Sequence, residues 1–227
     1  MEQALTLHAA TEGKPRKLVR DVLLVAGVVA SVAYVVTDIA AAMSLETYSY
    51  RDQAISELMA IESPMRPFMA PSFLAYGVLM TAFGLGVLRV AGTSRALQVA
   101  GWIFVVYGPV NVVGFLLCPM HVRGAMPSMT PTDVRHIVAT AVGVAMTLLS
   151  MGFVAAARGT WFRRYTVATV VLLVVCGVVT GLDGARIAGN LPTPWVGVTE
   201  RINVYLSMLW VAVLAVVLLV SSRREEV

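Results

Sequence analysis

Six apolar runs dominate the chain, at roughly 21–43, 68–90, 96–118, 136–157, 165–187 and 202–220, each about 19 to 23 residues long. An α-helix rises 1.5 Å per residue, so about 20 residues cross the ~30 Å hydrocarbon core of a bilayer. Each run is long enough to span once, and the segments between them are too short to bury a core of their own. Composition agrees: 58% of the 227 residues are hydrophobic and 13% charged, against about 25% charged in soluble domains. The expected fold is all-α, a polytopic six-transmembrane-helix bundle over 21–220, with a basic arm at 1–20 and a tail at 221–227.

The basic residues orient the bundle. Lys14, Arg16, Lys17 and Arg20 precede the first run, Arg89 and Arg95 lie in the second gap, Arg158, Arg163 and Arg164 in the fourth, and Arg223 and Arg224 in the tail. The first, third and fifth gaps hold only Arg51, Arg66, Arg123, Arg135, Arg186 and Arg201. Positive charge in short loops stays on the cytoplasmic side, so both termini are expected in the cytoplasm and the odd gaps outside. A cleavable signal is the competing reading of the first run, which follows a basic arm and ends in "DIAAAM"; its apolar stretch, Val22 to Thr37, slightly exceeds a usual signal core. A nucleic-acid partner is not expected, because the basic residues flank membrane ends without forming a stripe. Cys118 and Cys176 fall at different depths, which argues against a disulfide.

Acidic residues point to the other side. Glu46, Asp52, Glu57, Glu62, Asp133 and Glu200 lie in the odd gaps, and Asp38 and Asp183 near the outer ends of the first and fifth runs. Helical spacing groups Ser31, Tyr34 and Asp38; Ser72 and Tyr76; Tyr107, Asn111 and Cys118; His136, Thr140, Gly143, Thr147 and Ser150; Thr180, Asp183 and Asn190; and Glu200, Asn203 and Ser207. Polar groups facing lipid are costly, so these stripes are expected to turn toward a common cavity. Ordinary inter-helix hydrogen bonding accounts for most of the Ser and Thr. An ionisable group inside a span marks a functional site by default, and Asp38 is expected to pair with an outer arginine or to join Tyr34 and the third-helix stripe. Gly177, Gly181, Ala185 and Gly189, four apart, predict a packing face on the fifth helix opposite Asp183.

Three gaps carry candidate chemistry. "CPMHVRGAMPSMTPTDVRHIVAT" holds His121 and His136, with Asp133 one turn before His136, a set that suits a general base or a metal-bound water. It lacks any paired His or Cys spacing, and Thr130, Pro131 and Asp133 also read as a helix start with a capping box. His8, in the arm, has no expected role. "GVTERINVY" predicts a helix capped by Thr199, with Glu200 in its first turn. Arg123, Arg186 and Arg201 offer bidentate guanidiniums to a phosphate or carboxylate, unless neighbours such as Asp183 neutralise them. In "TYSYRDQAISELMAIESPMRPF", Asp52 is expected to cap a short helix that ends before Pro64. Its Ile55, Leu58 and Met59 would bury against the bundle as a lid, bringing Glu57 near Arg201 or Arg186.

"YSYRDQAISELMA", "PMHVRG" through "TDVRHIVAT", and "PWVGVTERINVYLSMLW", in that order, resemble the bacterial membrane family catalogued as domain of unknown function 998. The resemblance runs from the first helix to the sixth. Met59 stands where that family usually has glycine, and Met120 and His121 where many members have Asp-Pro. It implies a multi-pass protein of the bacterial inner membrane with no assigned activity, and it places Ser56, Glu57, His136, Glu200 and Arg201 on the family's motifs.

The leading functional expectation is an outward-facing polar pocket that binds or transports a lipid headgroup or small anion. Its contacts would be Asp38, Ser56, Glu57, Asn111, Arg123, Asp183, Arg186, Glu200 and Arg201. A membrane-embedded lipid hydrolase or transferase using His121, His136 and Asp133 is the alternative, and a scaffold without chemistry a third. No cofactor is implied; membrane lipids, a small anionic ligand and further copies of the chain are the partners left open. The orientation has a direct test. A cysteine introduced beside Glu62 should react with an impermeant thiol reagent on intact cells, and one in the second or fourth gap should not; the reverse pattern would invert the topology.

Overall fold

The computed structural model describes residues 2–224, with side chains described from Pro15 onward, so His8 and Lys14 lie outside the described side chains. Eight helices and no strand occur among the described residues: α1 (Glu2–Ser44), α2 (Ile55–Leu58), α3 (Arg66–Val90), α4 (Arg95–Leu117), α5 (Pro131–Ala157), α6 (Thr160–Leu182), α7 (Gly184–Ala188) and α8 (Val196–Arg224). Six of them, with α6 and α7 counted as one, are long and apolar enough to cross a membrane. The chain is a multi-pass membrane protein. The helices reach further into polar sequence than the apolar runs suggest, because their ends are capped: Thr130 Oγ1 accepts from Asp133 N, and Asp133 Oδ2 accepts from Thr130 N, starting α5 at Pro131. α8 likewise begins at Val196, so Thr199 is inside the helix rather than capping it.

Short connections make sequential helices neighbours. The long helices form a ring in chain order, α1, α3, α4, α5, α6, α8, and α8 closes on α1 while also touching α3. Packing is tightest where glycines face each other. Backbones of α3 and α4 meet at Gly77 and Gly108, where a methyl on Gly108 would collide with the Gly77 carbonyl and Thr81. The expected small-residue face of α6 does not pack as a unit: Gly177 abuts Asn203 of α8, but Gly181 looks into open space. The Asn203 amide lies between Leu173 O and Gly177 N of α6, and the orientation that satisfies both has it donate to the first at 2.8 Å and accept from the second at 3.0 Å.

Burial is lopsided. One core lies toward the termini, around Leu24, Phe83, Met151, Val154, Trp210, Leu214 and Leu218, and the Trp210 indole donates to Thr166 Oγ1 at 3.0 Å. A second, smaller core at the opposite end, the mouth, joins Ala41, Met69 and Phe73 to Ile55 and Leu58 of α2. The buried residues of α5 are Ser150, Met151 and Val154, and those of α6 are Phe162, Thr166, Thr169 and Leu173. Six of the seven lie in the halves nearest the α5–α6 turn, and Leu173 lies just past the middle of α6. Between the mouth and Ser150 on α5, and between Leu173 on α6 and the mouth, no residue is fully buried.

Candidate functional site

The mouth is organised around an ion pair. Arg201 of α8 donates from Nε to Asp38 Oδ2 at 2.9 Å and from Nη2 to Asp38 Oδ1 at 3.0 Å, the two-pronged geometry that holds a carboxylate best. Asp38 is fully buried and Arg201 2% exposed. The remaining guanidinium hydrogens are also used. Nη2 reaches Tyr48 Oη at 2.8 Å, and Nη1 reaches Tyr50 O at 2.9 Å and Gly197 O at 3.3 Å. The guanidinium carbon lies 3.7 Å from the centre of the Tyr50 ring, and Tyr205 donates its hydroxyl to Asp38. Asp38 thus has its expected arginine, but Arg201 has no N–H to offer a ligand. Tyr48, Tyr50 and Tyr205 were not expected in this network. Tyr205 had a legible signal, since it stands one helical turn after Arg201 on the same face.

That pair anchors the first connection, which is stitched down along its length. Gly197 N and Val198 N donate to Arg51 O at 3.0 and 3.3 Å, Thr193 Oγ1 to Asp52 O at 2.9 Å, and Trp195 N to Asp52 Oδ1 at 3.2 Å. A side chain on Gly197 would strike the Tyr50 and Gln53 carbonyls, which explains glycine there. Asp52 does not cap α2. It closes a turn with Ser49, while Ala54 occupies the N-cap position and Glu57 reaches back to Ala54 N at 3.0 Å. The helix ends at Leu58, well before Pro64. Ile55 N donates to Glu200, so that residue of the expected ligand set is tied to the α2 backbone. Burial pushes the Tyr48 phenol up, and the Arg51 guanidinium, aided by the Trp195 amide and the Ser49 hydroxyl, holds the Asp52 carboxyl down at about 2.

Beside this plug lies a cavity of about 150 Å³, walled by the third connection, the start of α5, and α7. Ser56, His121, Arg123, Asp133 and His136 all line it, together with Met120, Met126, Met129, Ile137 and Ile187. Glu57 pairs with Arg123 rather than with Arg201 or Arg186: Arg123 Nη2 lies 2.8 Å from Glu57 Oε1, and Nη1 donates to Thr193 Oγ1 at 2.8 Å and Leu191 O at 3.3 Å. The chain brings these together because the first and fifth connections cross at Asp52 and Thr193. Arg123 Nε is buried and has no partner among the described residues. His121 is held by Asp133, whose Oδ1 accepts from His121 N at 2.8 Å and lies 3.2 Å from ring Nδ1. His136 Nδ1 sits 3.0 Å from Cys118 O, so it carries the hydrogen and leaves Nε2 as the other ring nitrogen available for chemistry.

Other expected residues lie elsewhere. Asn111 is half-buried in α4 and does not line the cavity. Arg186 is exposed, donating to Pro192 O at 2.9 Å, with Asp183 at 3.8 Å. Asp183 sits at the break between α6 and α7 rather than within a helix. Both cysteines are free, and among the described residues no three His, Cys, Asp or Glu side chains gather as metal ligands.

These features define a class: a six-span membrane protein whose mouth is plugged by its own first connection, with a largely apolar cavity that carries a few charged and polar side chains beside the plug. The chain belongs to the family described as Protein of unknown function (DUF998), whose model matches residues 28–217. No curated protein and no solved structure matches it.

Two outcomes are expected. Asp38→Leu or Arg201→Met alone strands a buried charge and should cost about 3–5 kcal/mol of unfolding free energy. The double variant should lose far less than the sum of the two, as read by denaturation in detergent. The second concerns acid. Because the folded Asp52 value lies below the ordinary 3.8, its ionised form favours the folded turn; the contribution is complete above about pH 4 and is lost as pH falls through 2. Between pH 6 and 1.5 the change in tryptophan fluorescence should be smaller in Asp52→Asn than in the unsubstituted protein, because Asp52 holds the Trp195 amide.

Proposed function

We propose that the protein binds the anionic headgroup of a membrane lipid in the cavity beside the plug, on the extracytoplasmic side of a bacterial inner membrane. The observation that carries this reading is Arg123. Of its five guanidinium hydrogens, three are engaged by Glu57, Thr193 and the Leu191 carbonyl, and the buried Nε has no partner. A buried unpaired donor costs about 1–3 kcal/mol, so an oxyanion that draws the Arg123 guanidinium edge toward the cavity would relieve a standing penalty. The cavity carboxylates do not oppose it strongly. Glu57 and Asp133 each accept from backbone amides and from their own partners, and the donors that remain beside the space are the Ser56 hydroxyl and the Arg123 guanidinium.

A second reading is favoured by one feature. With Nδ1 committed to the Cys118 carbonyl, His136 keeps Nε2 as a candidate general base at the cavity that the Ser56 hydroxyl also lines, the two residue types a lipid hydrolase or transferase needs.

Native mass spectrometry from phosphatidylglycerol and phosphatidylcholine nanodiscs tests binding. The unsubstituted protein should retain the anionic lipid preferentially, and Arg123→Gln should reduce that retention by about tenfold, equivalent to about 1.4 kcal/mol. Equal retention of both lipids, unchanged by Arg123→Gln in folded protein, would remove the headgroup reading. Release of fatty acid or headgroup that stops in His136→Ala would replace it with the enzymatic one.

A further inference from the structure

Building on the headgroup reading, we propose that the ligand enters sideways from the bilayer through a portal between the mouth-side halves of α5 and of α6 with α7, and that its acyl chains stay in that seam. The ligand class is then an intact amphiphile with a phosphate or carboxylate headgroup, rather than a water-soluble anion.

Three observations meet at this place. First, the cavity is too small for a lipid. About 150 Å³ is the space that takes one benzene-sized group. A phosphate or carboxylate with a few attached atoms fits, and chains must leave through a wall. Second, the α5–α6 wall is the one that is open. Every buried residue of these helices lies at or beyond Ser150 on α5 and at or before Leu173 on α6, toward their shared turn. From there to the mouth the two helices bury no residue, and a methyl added at Gly181 or Gly184 would meet nothing within 4 Å. The plug side is closed, with Ile55 and Leu58 essentially unexposed, and the α3–α4 side of the ring is sealed by close glycine contacts.

Third, the lips are shaped for the task. Helix α6 stops at Leu182 and the chain restarts as α7 after Asp183, so the cavity wall on this side is one short turn, contributing Gly184, Ile187 and Ala188. Across from it, Ile137 lines the cavity one residue after His136, yet is 51% exposed. One side chain therefore faces both the cavity and the surroundings of the bundle, which is what an opening requires. His136 on α5 and Arg123 beyond it would meet the headgroup as the chains lie along Ile137 and Ile187. A hydrocarbon seam of this kind costs nothing to leave open in lipid, because acyl chains solvate apolar side chains as well as protein does.

The portal and the headgroup site fail differently. Ala141→Trp, one turn from Ile137, and, on the other lip, Gly181→Trp place bulk in the seam without touching Arg123; both positions are exposed and neither lines the cavity. Their melting and gel-filtration profiles should match the unsubstituted protein. In phosphatidylglycerol nanodiscs each should retain at least tenfold less lipid by native mass spectrometry, while titration with glycerol 3-phosphate in detergent should stay within about twofold. Arg123→Gln should weaken both. Undiminished lipid retention in both tryptophan variants, with loss in Arg123→Gln, would overturn the portal and leave the headgroup site standing. Parallel loss of lipid and glycerol 3-phosphate in the tryptophan variants would also overturn it, by making the effect one on the cavity itself. Indifference of both probes to Arg123→Gln would remove the headgroup reading beneath it.

Discussion

The pairing of Asp38 with Arg201 is the constraint around which the mouth of this bundle is built. Two charges removed from water each lose several kcal/mol of solvation, and their attraction repays that only when geometry is good and every remaining hydrogen and lone pair is used. Both conditions are met by reaching outside the two helices. Arg201 takes the carbonyl of Tyr50 and the hydroxyl of Tyr48 as well as Asp38, and Tyr205 completes the carboxylate. Satisfying a buried pair between α1 and α8 therefore draws the whole first connection down onto the bundle. From that follow the burial of Ile55 and Leu58, the meeting of Asp52 with Trp195, and the delivery of Glu57 to Arg123.

The segment 45–65 is consequently a plug rather than a swinging cover. It is tied by α8, by the fifth connection and by the third, where Ile61 N donates to Met120 O at 2.9 Å and Val122 N to Glu62 at 2.9 Å. Arg66, at the start of α3, finishes it by donating to Met59 O at 2.6 Å and resting on the Phe115 ring. A stiff plug on one side and an unburied seam on the other give the cavity two unlike walls. Rigid polar groups hold position on the first, and movement or entry is confined to the second, where few packed contacts oppose it.

Much of this was legible in the residues. Hydrophobic run length determined the number of spans, because a bilayer has a set thickness and the backbone cannot be left unsatisfied inside it. Local spacing determined the α5 start at Thr130 to Asp133 and the apolar face of the short helix, since capping and amphipathicity depend on residues three or four apart. The sequence also singled out Asp38, Glu57, Arg123, Arg201, His121 and His136 as residues with unusual obligations.

Tertiary structure alone decided which of them meet. Glu57 had three arginines within plausible reach at the mouth, and its choice of Arg123 depends on where the first, third and fifth connections cross, which no local pattern encodes. Arg201 looks like an anion ligand in the sequence because charge is visible there and saturation is not. Only the fold shows that Asp38, two tyrosines and backbone carbonyls consume it, leaving Arg123 as the guanidinium beside the cavity. The open seam was equally hidden: α5 and α6 read as apolar as their neighbours, and an apolar side chain in a membrane is satisfied by lipid or by protein, so hydropathy cannot say which of the two it touches.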